Sequence, residues 1–93
     1  MNPSPSLPKT KQPTMRVKVY APFRVYYDGQ AVSVSASNQV GPFDVLPHHR
    51  NFITLLEPGK VTIRMPDKED FVLPITRGIM HVRADDVRVF LDV

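Results

Sequence analysis

The chain has 93 residues, 42% of them apolar, with a formal net charge of +3 and no cysteine. This length allows one small domain, and the lack of any run of about 18 apolar residues excludes a membrane-spanning helix in this sequence. The missing cysteines exclude disulfides, thiolate metal sites and cysteine nucleophiles.

The positive charge is concentrated at the start of the chain. Residues 1–14 contain Lys9 and Lys11 and no acidic residue, which leaves ten of the twelve Lys/Arg against nine Asp/Glu in residues 15–93. A folded body so close to neutral has no obvious surface for tracking nucleic acid phosphates. Residues 1–14 also contain four prolines among polar residues, which predicts a disordered tail that is open to a docking role.

From Met15 onward, apolar and polar residues alternate with a period of two, as in half-buried β-strands. Strands are predicted over residues 15–20, 23–27 and 31–36. Pro22 interrupts the first of these patterns, and Asp28-Gly29 is a pair typical of tight hairpin turns.

The middle of the chain is rich in turn-forming residues. Residues 38–47 contain Gly41-Pro42 and Pro47, which predicts an irregular segment, and residues 57–60 read as a turn. Further strands are predicted over residues 52–56, 60–65, 71–73, 79–83 and 87–91, of which the last two form a hairpin. Since no segment keeps helical spacing, residues 15–93 are predicted to form an all-β domain: a two-sheet antiparallel β-sandwich or flattened barrel of about 8–10 short strands.

Residues 41–59 carry a distinctive pattern. It resembles the signature of epsilon subunits of F-type ATP synthases. That signature begins Gly-x-x-Gly-(Val/Ile)-(Leu/Tyr)-Pro-Gly-His-Ala-Pro, continues with a short apolar stretch and ends in Pro-Gly. The matching residues are Gly41, Val45, Leu46, Pro47, His49, Thr54, Leu56, Pro58 and Gly59. The flanks agree, with a family-like opening over residues 17–29 and a family-like ending over residues 77–92, so the resemblance covers residues 15–93.

The departures from this signature lie in one segment. Asp44 and His48 replace two glycines, Arg50-Asn51 replaces Ala-Pro, and Pro42 stands where many members have an acidic residue facing the membrane ring. The family also continues for two further helices, which carry its inhibitory arm and its ATP-sensing site. Because the sequence stops at Val93, it is expected to lack that hairpin and not to bind ATP.

The resemblance implies a non-catalytic central-stalk subunit that turns with the rotor of a proton-translocating ATP synthase. Its implied partners are the gamma subunit and the proteolipid ring, with no cofactor, no metal and no nucleic acid. The implied location is peripheral, on the cytoplasmic face of the inner or plasma membrane, through the complex alone. The alternative is a stand-alone protein–protein interaction module with the same sandwich.

The site residues follow from the same resemblance. The segment 41–51 is expected to be a ring-facing loop, anchored in the core by Phe43, Val45 and Leu46. The residues expected to meet the ring are Gly41, Pro42, Asp44, His48, His49 and Arg50. Apolar residues on the outer faces, namely Tyr26, Tyr27, Ile63 and Phe90, are candidates for the gamma contact.

Three other kinds of site are less favoured by the residues themselves. His48, His49 and His81 lack metal-ligand spacing, because neighbouring residues of a strand point to opposite faces. Acid–base catalysis by paired carboxylates is also less favoured, because the acidic residues over 67–70 and 85–86 lie at turns, where carboxylates are usually solvated. A set of alternating basic residues could form a stripe that binds single-stranded nucleic acid, but the alternation is better explained by strands that turn these residues to solvent. The residues are Arg16, Lys18, Arg24, Arg64, Arg83 and Arg88.

Overall fold

A computed structural model describes residues 13–92 of the protein. The predicted tail, residues 1–14, therefore lies outside the described residues except for Pro13 and Thr14. The described part contains nine strands and no helix, and so it has no helix that could cross a membrane. The strands are β1 Met15–Ala21, β2 Arg24–Ala31, β3 Ser33–Asn38, β4 Gly41–Val45, β5 Phe52–Leu56, β6 Gly59–Arg64, β7 Phe71–Ile75, β8 Gly78–Arg83 and β9 Asp86–Leu91.

The strands form two sheets, which confirms the predicted sandwich. The five-stranded sheet has the order β2-β1-β9-β8-β5, and the four-stranded sheet has the order β4-β3-β6-β7. All neighbours are antiparallel except β1 and β9, which pair in parallel with Val17 opposite Val87. The antiparallel prediction is wrong at this one pair, because β1 and β9 lie at opposite ends of the sequence and are not joined by a hairpin.

The core lies between the two sheets and follows the alternation in the sequence. In β1, Met15, Val17 and Val19 are buried while Arg16 is exposed. The remaining buried apolar residues of the cluster are Ala21, Ala31, Val34, Ala36, Val45, Leu56, Val61, Ile63, Ile75, Met80, Val82, Val87, Val89 and Leu91. No polar or charged residue is buried among residues 13–92. The sandwich is therefore stabilised by aliphatic burial.

Two predictions of local structure are wrong. Asp28 and Gly29 lie inside β2, paired with Lys18 and Val17, and the chain turns instead between Ala21 and Arg24. Residues 41–45, predicted to be irregular, form β4 against β3. In both places the pairing with a neighbouring strand, which a local motif does not contain, overrides the local preference.

Prolines protect both outer edges of the four-stranded sheet. Pro42 lies in β4 and Pro74 in β7, the two edge strands of that sheet. A proline has no N–H, so it can stand in an edge strand and still discourage the addition of a further strand. This explains how a Gly-Pro pair can be part of a strand.

Candidate partner-binding site

The segment that joins β4 to β5, residues 46–51, is named the clamped loop. His48 in this loop has φ 69°, and Ala84 in the β8–β9 turn has φ 55°. Both values belong to the left-handed region, which is unfavourable for residues other than glycine. The signature that residues 41–59 resemble has glycine at the position of His48, and glycine adopts this backbone conformation without strain.

The clamped loop and the β8–β9 turn hold each other by reciprocal hydrogen bonds. The N–H of His48 donates to Oδ1 of Asp85 at 2.8 Å. In the other direction, the N–H of Ala84 donates to Oδ1 of Asn51 at 2.7 Å. Each left-handed residue is thus held through its backbone by a side chain of the other segment. These bonds fix the loop to the five-stranded sheet.

Asp85 also has a second hydrogen bond, because its backbone carbonyl accepts the N–H of Arg16 at 2.8 Å. The imidazole Nδ1 of His48 also lies 3.7 Å from Oδ2 of Asp85, an exposed contact of small energetic value. One turn residue therefore joins the clamped loop, the β8–β9 turn and the beginning of β1.

His49 shapes the loop from within. Its N–H donates to the carbonyl of Leu46 at 3.1 Å, and its Nδ1 lies 2.7 Å from the carbonyl oxygen of Arg50. Its ring packs on Phe52, with the centroids 4.8 Å apart. The neighbouring Arg50 is exposed.

The structure does not place the predicted ring-facing residues in a single loop. Gly41 and Pro42 begin β4, whereas His48 and Arg50 follow its other end, so the two groups are separated by roughly 13 Å of extended strand. Between them, Asp44 accepts a hydrogen bond from the Ser35 hydroxyl at 2.6 Å. The predicted residues thus follow one edge of the sandwich.

The beginning of this edge is also shaped by hydrogen bonds. The carboxamide Oδ1 of Asn38 accepts the N–H groups of Val40 and Gly41, at 2.9 and 3.3 Å. Gly41 has φ 139°, in the region that favours glycine. Val40 and Pro42 are exposed beside it.

The predicted anchors of the segment are partly correct. Val45 is fully buried, and Phe43 packs against the core at half-burial. Leu46, however, is 54% exposed, so its predicted anchoring role is wrong. The chain leaves β4 at this residue and turns away from the core, which carries the Leu46 side chain into solvent.

The residues predicted for the gamma contact differ in exposure. Ile63 is fully buried in the core, so its place on an outer face is wrong. Tyr26 and Tyr27 are both half-buried against the core. Adjacent residues of a regular strand point to opposite faces, but a register shift after Val19 leaves Tyr26 without a partner in β1 and so allows both rings to approach the core. Phe90 is 38% exposed on the outer surface of the five-stranded sheet.

The two tyrosines have different surroundings. The Tyr27 hydroxyl donates to the carbonyl of Gln30 at 2.6 Å, and its ring lies 5.5 Å from that of Phe71. Burial, and to a smaller extent the charge of Asp28, raise the pKa of Tyr27. The Tyr26 ring instead lies under the Arg24 guanidinium at 4.7 Å.

The chemistry-bearing residues do not converge on one point. Residues 13–92 contain no group of three or more His, Cys, Asp or Glu side chains that could hold a metal ion. His48 and His49 lie in the clamped loop, whereas His81 lies on β8. No site role was predicted for Asn51, Ala84 or Asp85; the signal for the last two was the Ala-Asp-Asp turn, and Asn51 was noted only as a departure from the signature.

Comparison with known proteins identifies the family. The profile of the family described as ATP synthase, Delta/Epsilon chain, beta-sandwich domain, matches residues 14–93. The ATP synthase epsilon chain of Laribacter hongkongensis is 32% identical over 81 residues, which make up 86% of this chain and 58% of that protein. The epsilon chain of Sulfurimonas denitrificans is 33% identical over 78 residues, 84% of this chain and 60% of that protein.

Two solved structures share the fold. The central stalk/c-ring structure of Tetrahymena thermophila mitochondrial ATP synthase matches with a TM-score of 0.71 and 21% identity, over 89% of this chain and 66% of that one. A chain of the Euglena gracilis mitochondrial ATP synthase matches with a TM-score of 0.78 and 13% identity, over 98% of this chain and 65% of that one.

The extent of these matches is consistent. The chain spans about 58% of the length of the first curated relative. The family profile covers all nine strands of the described residues, from before Met15 to beyond Leu91. The protein therefore belongs to the ATP synthase delta/epsilon chain family, whose β-sandwich domain it contains.

Proposed function

We propose that this domain is a non-catalytic rotor component of a proton-translocating F-type ATP synthase, and that it joins the gamma subunit to the proteolipid ring. The epsilon chains of Laribacter and Sulfurimonas, with more than 30% identity to this chain, support the assignment to that complex. Its location would then be peripheral, on the cytoplasmic face of the inner or plasma membrane. Its membrane contact would be indirect, through the ring.

The observation that carries this proposal is the clamp between His48 and Asp85 and between Asn51 and Ala84. A component that transmits torque must not deform where it meets its partner. Crossed hydrogen bonds convert a connecting loop into an extension of the five-stranded sheet, so a force applied at the loop reaches the whole sandwich. An ordinary exposed loop would yield instead.

The ring contact is proposed to run along the edge of β4 instead of over a loop tip. Its residues are Gly41, Pro42, Asp44, His48, His49 and Arg50, which extend from one end of β4 to the other. Pro42 and Arg50 are exposed at the two ends of this edge. Polar loops of the ring would meet Arg50 and His48 without disturbing the apolar core.

The gamma contact is proposed at Tyr26 and Tyr27, on β2 at the other edge of the sandwich. β2 is the edge strand of the five-stranded sheet, whereas β4 is an edge strand of the four-stranded sheet. Two partners could therefore be held at the same time by two separate edges. The exposed side chain of Val25 would extend this surface.

The proposal is tested by binding to isolated gamma and to a purified gamma–ring complex, with affinities measured for each. We expect Arg50→Glu and Pro42→Arg to weaken binding to the complex about ten-fold while binding to gamma is kept. Lys68→Glu, an exposed charge reversal in the β6–β7 connection, is the matched control. All three variants should melt as the parent protein does.

A folded chain that binds neither gamma nor the complex would contradict the proposal and favour the stand-alone interaction module. Equal losses in Lys68→Glu and Arg50→Glu would contradict the assignment of the ring contact to the β4 edge. Millimolar ATP should leave the melting temperature unchanged, because the domain is proposed not to bind ATP. A folded state that did bind ATP would be stabilised by it and would melt at a higher temperature.

A further inference from the structure

The outer surface of the five-stranded sheet is divided into an apolar part and a basic part. Cross-strand pairing places Leu55 beside Ile79, Ile79 beside Phe90, and Phe90 beside Tyr20. This apolar row crosses four strands, a distance of roughly 14 Å. Ile53, two residues before Leu55 on the same face, widens the row at the edge strand β5.

Three members of the apolar row and the adjacent Ile53 are exposed large apolar side chains, whereas Tyr20 is half-buried. Leu55 is 68% exposed and Ile53 66%, while Ile79 and Phe90 are 42% and 38% exposed. A groove of about 590 Å³ lies along them, lined by Leu55, Ile79 and Phe90 together with polar residues at its end. Contiguous exposed apolar surface of this kind marks an interaction site.

The neighbouring rows on the same surface are basic. His81 lies opposite Arg88, and Arg88 lies opposite Lys18, so these three side chains run parallel to the apolar row. The next row contains Arg83 and Arg16 on either side of Asp86. Four Lys/Arg therefore face only two carboxylates, Asp28 and Asp86, on this surface.

The carboxylates leave part of this charge uncompensated. Arg16 binds Asp28 at 2.9 Å, and Arg88 lies 3.3 Å from Asp86. Lys18 rests over the Tyr20 ring at 4.9 Å. Arg83 has no side-chain hydrogen bond or ion pair within residues 13–92, and it lines a shallow cavity with His81, Ala84, Asp86 and Arg88. Because Asp86 already contacts Arg88, Arg83 is the cation of this cavity that a carboxylate of a partner would meet.

We infer that this outer surface binds an acidic amphipathic helix of a partner protein. A sheet surface with exposed apolar side chains is commonly covered by a helix, and the 14 Å row corresponds to about ten helical residues. The apolar stripe of the helix would lie on Leu55, Ile79 and Phe90. Carboxylates on one flank of the helix would reach Arg83, Arg88 and Lys18. This inference is independent of the ring contact at β4.

Charge favours this occupant over other acidic partners. The basic residues lie on only one side of the apolar row, because Arg77 at the far end of the groove is accompanied by Glu57 and Asp92. A helix with glutamates on one flank matches this asymmetry. Single-stranded nucleic acid needs open aromatic faces for stacking, whereas the Phe90 ring contacts Tyr20 edge to face at 5.3 Å.

The test uses two synthetic helical peptides of about 14 residues with the same leucine stripe. One carries glutamates on a single flank, and the other carries lysines at the same positions. Binding to the isotopically labelled full chain is followed by NMR. We expect the glutamate peptide to bind about ten-fold more tightly and to shift the amides of Ile79, Arg88 and Phe90.

Two variants separate the charge from the apolar contribution. Arg83→Glu combined with Arg88→Gln should remove the preference for the glutamate peptide, and Ile79→Ser should weaken both peptides. Arg64→Glu, on the four-stranded sheet, is the matched control and should change neither affinity. The melting temperature of each variant shows whether it is folded.

Several outcomes would overturn the inference. They are equal binding of the two peptides, binding of neither at millimolar concentration, and shifts confined to the four-stranded sheet. Anionic phosphatidylserine vesicles or oligothymidine that displaced the glutamate peptide and bound more tightly would assign the surface to a lipid or nucleic acid instead. If the chain failed to bind the gamma–ring complex but still bound the glutamate peptide, the proposed function would be contradicted and this inference would stand.

Discussion

The backbone N–H of His48 donates to the carboxylate of Asp85 at 2.8 Å, across 37 positions of sequence. His48 is held there with φ 69°, a conformation that costs a non-glycine residue about 1 kcal/mol. The same carboxylate therefore supports an unfavourable backbone conformation and ties the clamped loop to the β8–β9 turn.

Replacement of His48 should separate backbone conformation from side-chain chemistry. His48→Gly is expected to keep the free energy of unfolding within about 0.5 kcal/mol of the parent, because glycine adopts positive φ without strain but increases the entropy of the unfolded chain. His48→Val should lose about 1–2 kcal/mol, since a β-branched residue is strained in the left-handed region. Urea unfolding measures both. Arg50→Val is the control, and an equal loss in Arg50→Val would refute this account.

The two hydrogen bonds of the clamp should be coupled. Asp85→Ala and Asn51→Ala are each expected to lower the free energy of unfolding by about 1 kcal/mol, because each removes an acceptor from a backbone N–H. The double variant should lose less than the sum, by about 0.5 kcal/mol or more, since both bonds hold the same two segments. Asp86→Ala, which removes only an exposed contact with Arg88, should cost little. Strict additivity would show that the bonds act separately.

Gly78 should not tolerate a side chain. A Cβ at this position would lie 2.8 Å from the carbonyl oxygen of Phe90 and 3.0 Å from a methyl carbon of Leu91. Gly78→Ala must therefore push β8 away from β9, and we expect a loss of about 1–3 kcal/mol in the free energy of unfolding. Arg77→Ala, one residue earlier and exposed, is the control. A Gly78→Ala protein as stable as the control would mean that the strands adjust without cost.

Alkaline pH should destabilise the fold through Tyr27. Burial, followed by the charge of Asp28, raises its pKa above the ordinary 10.0, so the unfolded chain loses the phenolic proton first. The stability conferred by protonated Tyr27 is fully present below pH 10 and is lost as the pH rises through the folded-state pKa. Unfolding should therefore become easier above about pH 10.

Tyr27→Phe is the control for this pH dependence. The variant also lacks the hydrogen bond to the Gln30 carbonyl, so the informative quantity is the slope of stability against pH and not its absolute value. The parent protein should show the steeper decline between about pH 9 and 11, by urea unfolding at each pH. Parallel slopes would exclude Tyr27 as the titrating group.

The alternation of apolar residues predicted most of the strands because each strand buries every second side chain. Met15, Val17 and Val19 show this directly, and the family resemblance over residues 15–93 is confirmed by the profile match. The failures occur where the local signal conflicts with pairing. Asp28-Gly29 has the composition of a turn but is held in β2 by its neighbours in β1. Pro42 reads as a breaker but lies in an edge strand.

The candidate site was predicted only in part. The segment 41–51 was identified, yet its extension along β4 was not, because the pairing of β4 with β3 was missed. The predicted domain limits and ring contacts stay predictions. The burial of Ile63 and the exposure of Leu46 depend on which face of each strand meets the opposite sheet. Neither residue type indicates that face by itself.

What the sequence by itself determined is the class of fold, the family and the alternating core, since these depend on local periodicity and on residue order. What only the tertiary structure decided is which distant segments touch. Asn51 and Ala84 lie 33 positions apart, and their hydrogen bond exists only after β5 has paired with β8. The division of the outer sheet surface into apolar and basic rows likewise arises from the register between strands that are remote in sequence. Such contacts depend on how whole strands align, and no short segment of sequence contains that information.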